Sequence, residues 1–256
     1  MPSDIGWGGL AASLVLVAVA VALSLGRRLG LERSIVWASA RALVQLLLVG
    51  VALDFVLDRT VAWSWAWVVV MVGFAADTVR RRAPEVPRVF PLALGAFAAA
   101  AVVTLAVLFG LGVFPLEPRT LIPLAGMMVG NAMTATVLVA RRVVEELRDK
   151  RDEVEARLAL GHASAEAARP YVRAALRTAL IPQIETTKSV GLVFLPGAMT
   201  GLILAGVDPL DAVRVQAAVM YLVLGSVATT VTVVGLGVRR RSFSADHRLL
   251  VGADGG

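Results

Sequence analysis

Apolar runs about as long as a bilayer is thick recur along this chain, with the charges gathered between them. Crossing the hydrocarbon core takes roughly 20 apolar residues in a helix. Runs of that order lie at 8–26, 35–57, 61–79, 91–114, 120–140, 189–207 and 212–237. Only helices or closed barrels satisfy every backbone N–H and C=O inside lipid. Runs this long therefore predict an all-α polytopic membrane protein with seven transmembrane helices. Hydrophobic residues make up 58% of the 256 positions and the mean hydropathy is +0.79, above the apolar share of about 45–50% usual for soluble domains.

Basic residues are retained on the cytoplasmic side, so their distribution predicts orientation. All but four of the 25 Lys and Arg fall in alternate loops: Arg27, Arg28 and Arg33; Arg80, Arg81, Arg82 and Arg88; the stretch from Arg141 to Lys188; and Arg239, Arg240, Arg241 and Arg248. The exceptions are Arg59, Arg119 and Arg214 in the opposite loops and Arg41 within a span. The N-terminus is thus expected outside and the C-terminus inside. The net charge of +6 follows from this topology and from attraction to anionic inner-leaflet lipid, so nucleic-acid binding is not expected. Met1 to Asp4 offers no basic lead-in to the first run, so the expectation is an uncleaved first span in a cell membrane, bacterial inner or plasma. The division expected is one permease domain over 1–241 and a disordered cytoplasmic tail over 242–256.

Catalytic patterns are missing. No Gly-x-x-x-x-Gly-Lys-Ser/Thr phosphate loop occurs, and the only lysines, Lys150 and Lys188, lack the glycines that would cradle phosphate. Cysteine is absent, and His162 and His247 have no nucleophile or metal-ligand spacing around them. The chain is not expected to be an enzyme or to carry a cofactor.

One large hydrophilic insert, at about 141–188, interrupts the apolar pattern. Its first part reads as a helix continuing span five, with Glu146/Lys150, Arg148/Asp152, Arg151/Glu155 and Glu153/Arg157 at helical spacing. Gly161 breaks that pattern, and Ser164 reads as a cap for a further helix. Beyond it Tyr171, Val172, Ala175, Leu176 and Ala179 share one helical face and Arg169, Arg173 and Arg177 another. This predicts an interfacial amphipathic helix starting near Pro170 and ended or kinked by Pro182.

The sequence Glu155-Ala156, then Leu160-Gly161, then a basic amphipathic helix and Ile181-Pro182, resembles the coupling loop of ABC-importer permeases. That resemblance implies an ATPase-docking element at Glu155, Ala156, Leu160, Gly161 and Ser164, with ATP and Mg²⁺ bound on a separate ABC ATPase subunit. Arg157 departs from the pattern, which commonly has a small residue there. More specific is the stretch from Leu176 to Gly201, containing Ile-Pro-Gln-Ile-Glu-Thr-Thr-Lys-Ser-Val-Gly. With it go Gln216-Ala-Ala-Val-Met-Tyr221, Arg41-Ala-Leu-Val-Gln45 and Pro123-Leu-Ala-Gly-Met-Met-Val-Gly-Asn-Ala-Met133. Over residues 10 to 240 these resemble the FetB family of iron-export ABC permeases, whose plant relatives are linked to aluminium tolerance. The resemblance implies a permease subunit that pairs with itself and with ATPase subunits and exports a metal cation such as iron.

Polar groups within the spans are the candidates for the path. Ionisable groups at bilayer depth cost several kcal/mol unless paired or hydrated. Arg41 and Gln45 form a stripe on span two, and Asn131, Met133 and Gln216 are candidates for the translocation path or for helix packing. A hard cation prefers oxygen ligands, which nominates Asp54, Asn131 and Glu185 as metal candidates. Glu185 and Lys188 could equally neutralise each other or couple loop to span. Pro196 and Gly197 suggest a kink or broken helix in span six, the favoured moving part. Gly126/Gly130 and Gly197/Gly201 are small-x-x-x-small pairs that could serve a homodimer. A self-sufficient secondary transporter or channel, and an ABC permease for non-metal cargo, remain the alternatives.

Overall fold

The computed structural model describes residues 6–57 and 60–250; within them the side chains of Trp7, Asp54, Phe55 and Leu57 lie outside the description. The Asp54 metal candidate therefore falls outside the described residues. The fold is helical: α1 (Trp7–Gly26), α2 (Glu32–Leu57), α3 (Val61–Arg82), α4 (Val89–Gly110), α5 (Pro118–Asp149), α6 (Arg151–Ala159), α7 (Ser164–Ala167), α8 (Arg169–Ser189), α9 (Gly197–Leu204) and α10 (Pro209–Arg241). Among the described residues six helices, α1 to α5 and α10, are long and apolar enough to cross a membrane, with mean hydropathies from 1.4 to 2.5. The protein is a multi-pass helical membrane protein.

The chain forms two units, residues 1–60 and 61–256. In the first, α1 and α2 make a helical hairpin. Its turn is pinned by Ser24, whose hydroxyl donates to Glu32 Oε1 at 2.7 Å and accepts from the Leu31 amide at 3.3 Å. Arg41 and Gln45 lie one turn apart on α2, and among the described residues neither makes a side-chain hydrogen bond or ion pair.

In the second unit α3, α4, α5 and α10 form a bundle around Val79, Ala96, Phe97, Met128, Val139, Val143, Val227 and Val231, all essentially inaccessible. Without a hydrophobic drive between helices in lipid, close packing of small residues has to hold them together. Gly235 and Gly237 of α10 illustrate this. A Cβ on Gly235 would stand 2.6 Å from Leu176 of α8, and one on Gly237 would overlap Leu92 of α4. The buried hydroxyls of Thr104, Thr136 and Thr230 donate to carbonyls of their own helices. Asn131 likewise donates to Met127 O at 2.8 Å. Thr104 also lies 3.2 Å from Met128 Sδ of α5, a contact between helices, whereas Thr136, Thr230 and Asn131 turn back to carbonyls of their own helices.

One end of this bundle is marked by arginines. Arg141 of α5 pairs with Glu85 in the α3–α4 turn at 3.2 Å, and Arg241 at the end of α10 donates to the carbonyls of Pro87 and Arg88. Consequently α5 and α10 both finish at the arginine end. The chain between them has to return to the far end, and it does so in two pieces. This corrects the expectation of a single span at 189–207. Helix α8 runs on to Ser189, residues 190–196 form a turn with Gly191 at φ +83° and a Val190–Phe194 bridge, and α9 has only eight residues. Eight residues rise about 12 Å, too little to cross alone. Pro196 lacks an N–H and stands as the N-cap of α9 with Gly197 as its first residue, and the apolar run is broken there.

Two further expectations change. Pro170 sits in the first turn of α8 as predicted, but Pro182 lies inside the helix and does not end it. Ala175 and Ala179 are buried and α8 packs on α5 and α10, so the helix enters the bundle where an interfacial position was expected. Tertiary packing overrides the break that Pro182 alone would impose. The tail is also not disordered from its start. Ser242 to Leu250 fold back as a hook closed by a Phe243–Leu249 bridge, with both side chains buried; residues 251–256 lie outside the described residues.

Candidate docking loop and intramembrane cavity

Helices α6, α7 and the start of α8 form an elbow at the arginine end. Lys150 separates α5 from α6 with φ −107°. At the tip, Leu160 ends α6 and Gly161 adopts φ +87°, a conformation open to glycine at little cost. Leu160 is 80% exposed, an apolar knob at the apex. Glu155 and Ala156 are exposed on α6, with Glu155 accepting from Arg151 at 2.7 Å. Ser164 is not the N-cap. Ala163 occupies that position and Ser164 opens α7, its Oγ 3.0 Å from Nδ1 of His247 in the hook. Sequence reasoning missed this contact, because the two residues are 83 positions apart.

Tyr171 clamps the elbow from beneath. Its hydroxyl donates to Glu153 at 2.8 Å, and Arg157 lies over its ring at 5.9 Å from the centroid. Val154 is wholly buried on the same side. Arg157, the departure from the coupling-loop pattern, thus ties α6 to α8. Glu153 also accepts from Lys150 at 2.9 Å, and the Lys150 and Tyr171 donors hold its carboxyl below the usual range. The partners differ from the predicted pairs. Glu146 takes Arg142 at 2.9 Å and Lys150 takes Glu153, while Arg151–Glu155 forms as expected. Tyr171 is one of two tyrosines in the chain, and its place at the foot of the amphipathic helix was the available signal.

Two grooves flank the apex. One, of about 690 Å³, lies between Arg151, Glu155, Leu158, Gly161 and the hook residues Asp246 to Leu249. The other, of about 610 Å³, is lined by Arg157, Arg169, Arg173 and Arg177 with the exposed His162–Glu166 pair at 3.5 Å. The elbow offers a partner an apolar tip between a mixed groove and a strongly basic one.

A third space, of about 350 Å³, opens where the return breaks. Asn131 of α5, Gln183 and Thr186 of α8, and Gln216 of α10 line it together with Met127, Met220 and the break residues Val190, Phe194, Pro196 and Gly197. The structure brings Asn131 and Gln216 together, as candidate path residues, and adds Gln183 and Thr186. Those two escaped the sequence reading because the helix carrying them was expected to end or kink at Pro182. Met133 is half-buried against the core and absent from the cavity wall. Glu185 pairs with Lys188 at 2.8 Å with both side chains exposed, and neither lines the cavity. Among the described residues no group of three or more His, Asp or Glu is placed to hold a metal ion. Gly126 faces Met71 of α3, whereas Gly130, Gly197 and Gly201 have open space beside them.

The sequence pattern of UPF0014, described as an uncharacterised protein family, matches residues 7–243. The rice UPF0014 membrane protein STAR2 is 44% identical over 216 residues, 84% of this chain and 76% of that protein. The Escherichia coli protein named a probable iron export permease protein, FetB, is 33% identical over 243 residues, 94% of each chain. The Arabidopsis thaliana protein ALUMINUM SENSITIVE 3 is 37% identical over 220 residues, covering 84% and 80%. No solved structure matches the chain.

Proposed function

The chain belongs to the UPF0014 family, and from that premise we propose that it is the permease subunit of an ABC transporter that exports a metal cation such as iron, powered by a separate ATPase. The observation that carries this reading is the end-to-end likeness to the iron export permease named above, joined to an exposed elbow at the arginine end of the bundle. Basic loops favour the cytoplasmic side, which puts the elbow where ATP is. The glycine turn lets α6 end abruptly and present Leu160, and the basic groove beside it suits an acidic rim on the ATPase. Hydrolysis of ATP belongs to that partner. The permease acts as a homodimer, with the open glycine faces of α5 and α9 as its candidate seam.

Counting the two-piece return as one pass supports seven passes and termini on opposite sides, and the basic loops favour an external N-terminus and an internal C-terminus. Nucleotide-driven movement of the elbow passes into α8 through Tyr171 and along that one helix to the break at 190–196, where the path widens or closes. Glu185, Lys188, Pro196 and Gly197 lie at the end of this lever. The test is cellular: with permease and ATPase expressed together, iron content falls relative to cells lacking either one. Equal iron content in the three strains would remove the export reading.

A further inference from the structure

We infer that the cavity at the α8 break is a transient cation site built from uncharged oxygens, with Gln216 Oε1 as its central ligand. This rests on the cation-cargo reading above. Gln216 lines the cavity and is only 6% exposed, and its Oε1 is shut off from solvent without a hydrogen-bond partner, so it meets an ion once its side chain turns toward the space. Among the described residues the other buried side-chain atoms in that condition are Ser64 Oγ, Trp67 Nε1 and Arg142 Nε, and none of these three lines the cavity. A buried acceptor left unpaired is costly, so such a group calls for a partner that the chain itself does not supply.

The neighbours narrow the partner's chemistry. Asn131 commits its amide nitrogen to Met127 O, and the Thr186 hydroxyl donates its proton to Pro182 O at 2.9 Å. Both oxygens keep lone pairs free. The wall thus offers several oxygens together with the amide N–H groups of Gln183 and Gln216; a cation takes several of the oxygens at once, and the N–H groups hold its water. No Asp, Glu, Lys or Arg lines the space. A volume near 350 Å³ has room for several waters, so the ion keeps part of its hydration shell. Neutral ligands make the site weak, which a transport path requires, since an ion held by several carboxylates would not leave. The site also lies against the turn at 190–196, so a change in the break alters the ligand set directly.

The test uses the full permease assembled with its ATPase in lipid nanodiscs, with ferrous sulfate under anaerobic conditions as the probe. Ferrous ion stimulates ATP hydrolysis by the unaltered complex. Gln216→Leu raises the concentration for half-stimulation by about tenfold or more, while nucleotide-dependent assembly is unchanged. Gln216→Glu lowers that concentration and also lowers the maximal rate, because the ion then leaves slowly. A Gln216→Leu complex that responds like the unaltered one overturns the site and leaves the cargo reading standing. An unaltered complex that ignores ferrous ion overturns both. Should Gln216→Leu fail to assemble, Asn131→Asp carries the same test: an unchanged half-stimulating concentration counts against the site.

Discussion

The elbow around Gly161 and the cavity around Gln216 are joined by one helix, α8, yet they are held by opposite means. The elbow is wet and crowded with charge, and nearly every acid there has a base or a hydroxyl within reach. Such exposed pairs contribute little each, and the shape depends on one glycine turn, one buried valine and the tyrosine clamp. The cavity wall is uncharged, and one amide oxygen of a residue that lines it has no partner. On the proposed reading, many cheap contacts suit a surface for another protein, and an uncharged wall with one unsatisfied acceptor suits a place for cargo.

The comparison breaks most readily at the turn. Replacing Gly161 by Pro forbids φ +87° and redirects α6, so binding of the ATPase falls by about thirtyfold, the loss typical of a hot spot; pull-down and stimulated ATP hydrolysis measure it. Bundle stability should be untouched, and a matching fall in melting temperature would mean the turn is structural. Tyr171→Ala removes the clamp and a buried ring, costing about 3 kcal/mol locally. Hydrogen exchange should then speed up in α6 and α7 while α4 and α10 stay protected. Protection lost evenly would show that elbow and bundle are one cooperative unit. Gly235→Leu probes the other region. It drives a side chain into Leu176 and costs about 2 kcal/mol by overpacking, read as a lower melting temperature in detergent.

The smallest effect concerns pH. The carboxyl of Glu153 is held below its ordinary range by Lys150 and Tyr171. Its contribution to the elbow is therefore complete above the unfolded carboxylate pKa and fades as pH falls through the lower folded value. The protection of α6 amides relative to their intrinsic exchange rates should fall slightly between neutral and acid pH, and Glu153→Gln should flatten that slope. A slope of the same size in the Gln variant would assign the effect to another group.

How much of this was legible in the sequence follows from the range of each interaction. Gly161 and the alternating arginines were readable because a glycine after a helical pattern and a basic loop are local signals. The return was misread as a single span because hydropathy averages over a window and does not register Gly191 in a left-handed conformation. Its partner fact, that α5 and α10 end together, needs Arg141 beside Glu85 and Arg241 beside Arg88, contacts far apart along the chain. The hook was lost for the same reason, since Ser164 has its partner in His247. Within the cavity Asn131 and Gln216 stood out as polar letters in apolar runs. Gln183 and Thr186 did not, because Pro182 suggested that the helix stops or kinks just before them.

The central claim is that Leu160 and its flanks touch an ATPase. The chain has no cysteine, so Leu160→Cys carries a photoactivated cross-linker at one defined position. A second variant, Leu138→Cys on the exposed face of α5, serves as the membrane-depth control. Illumination of the assembled complex should join Leu160→Cys, and not Leu138→Cys, to the ATP-binding subunit. Equal labelling from both positions, or no adduct from Leu160→Cys in a complex that still couples ATP hydrolysis to transport, would contradict the account.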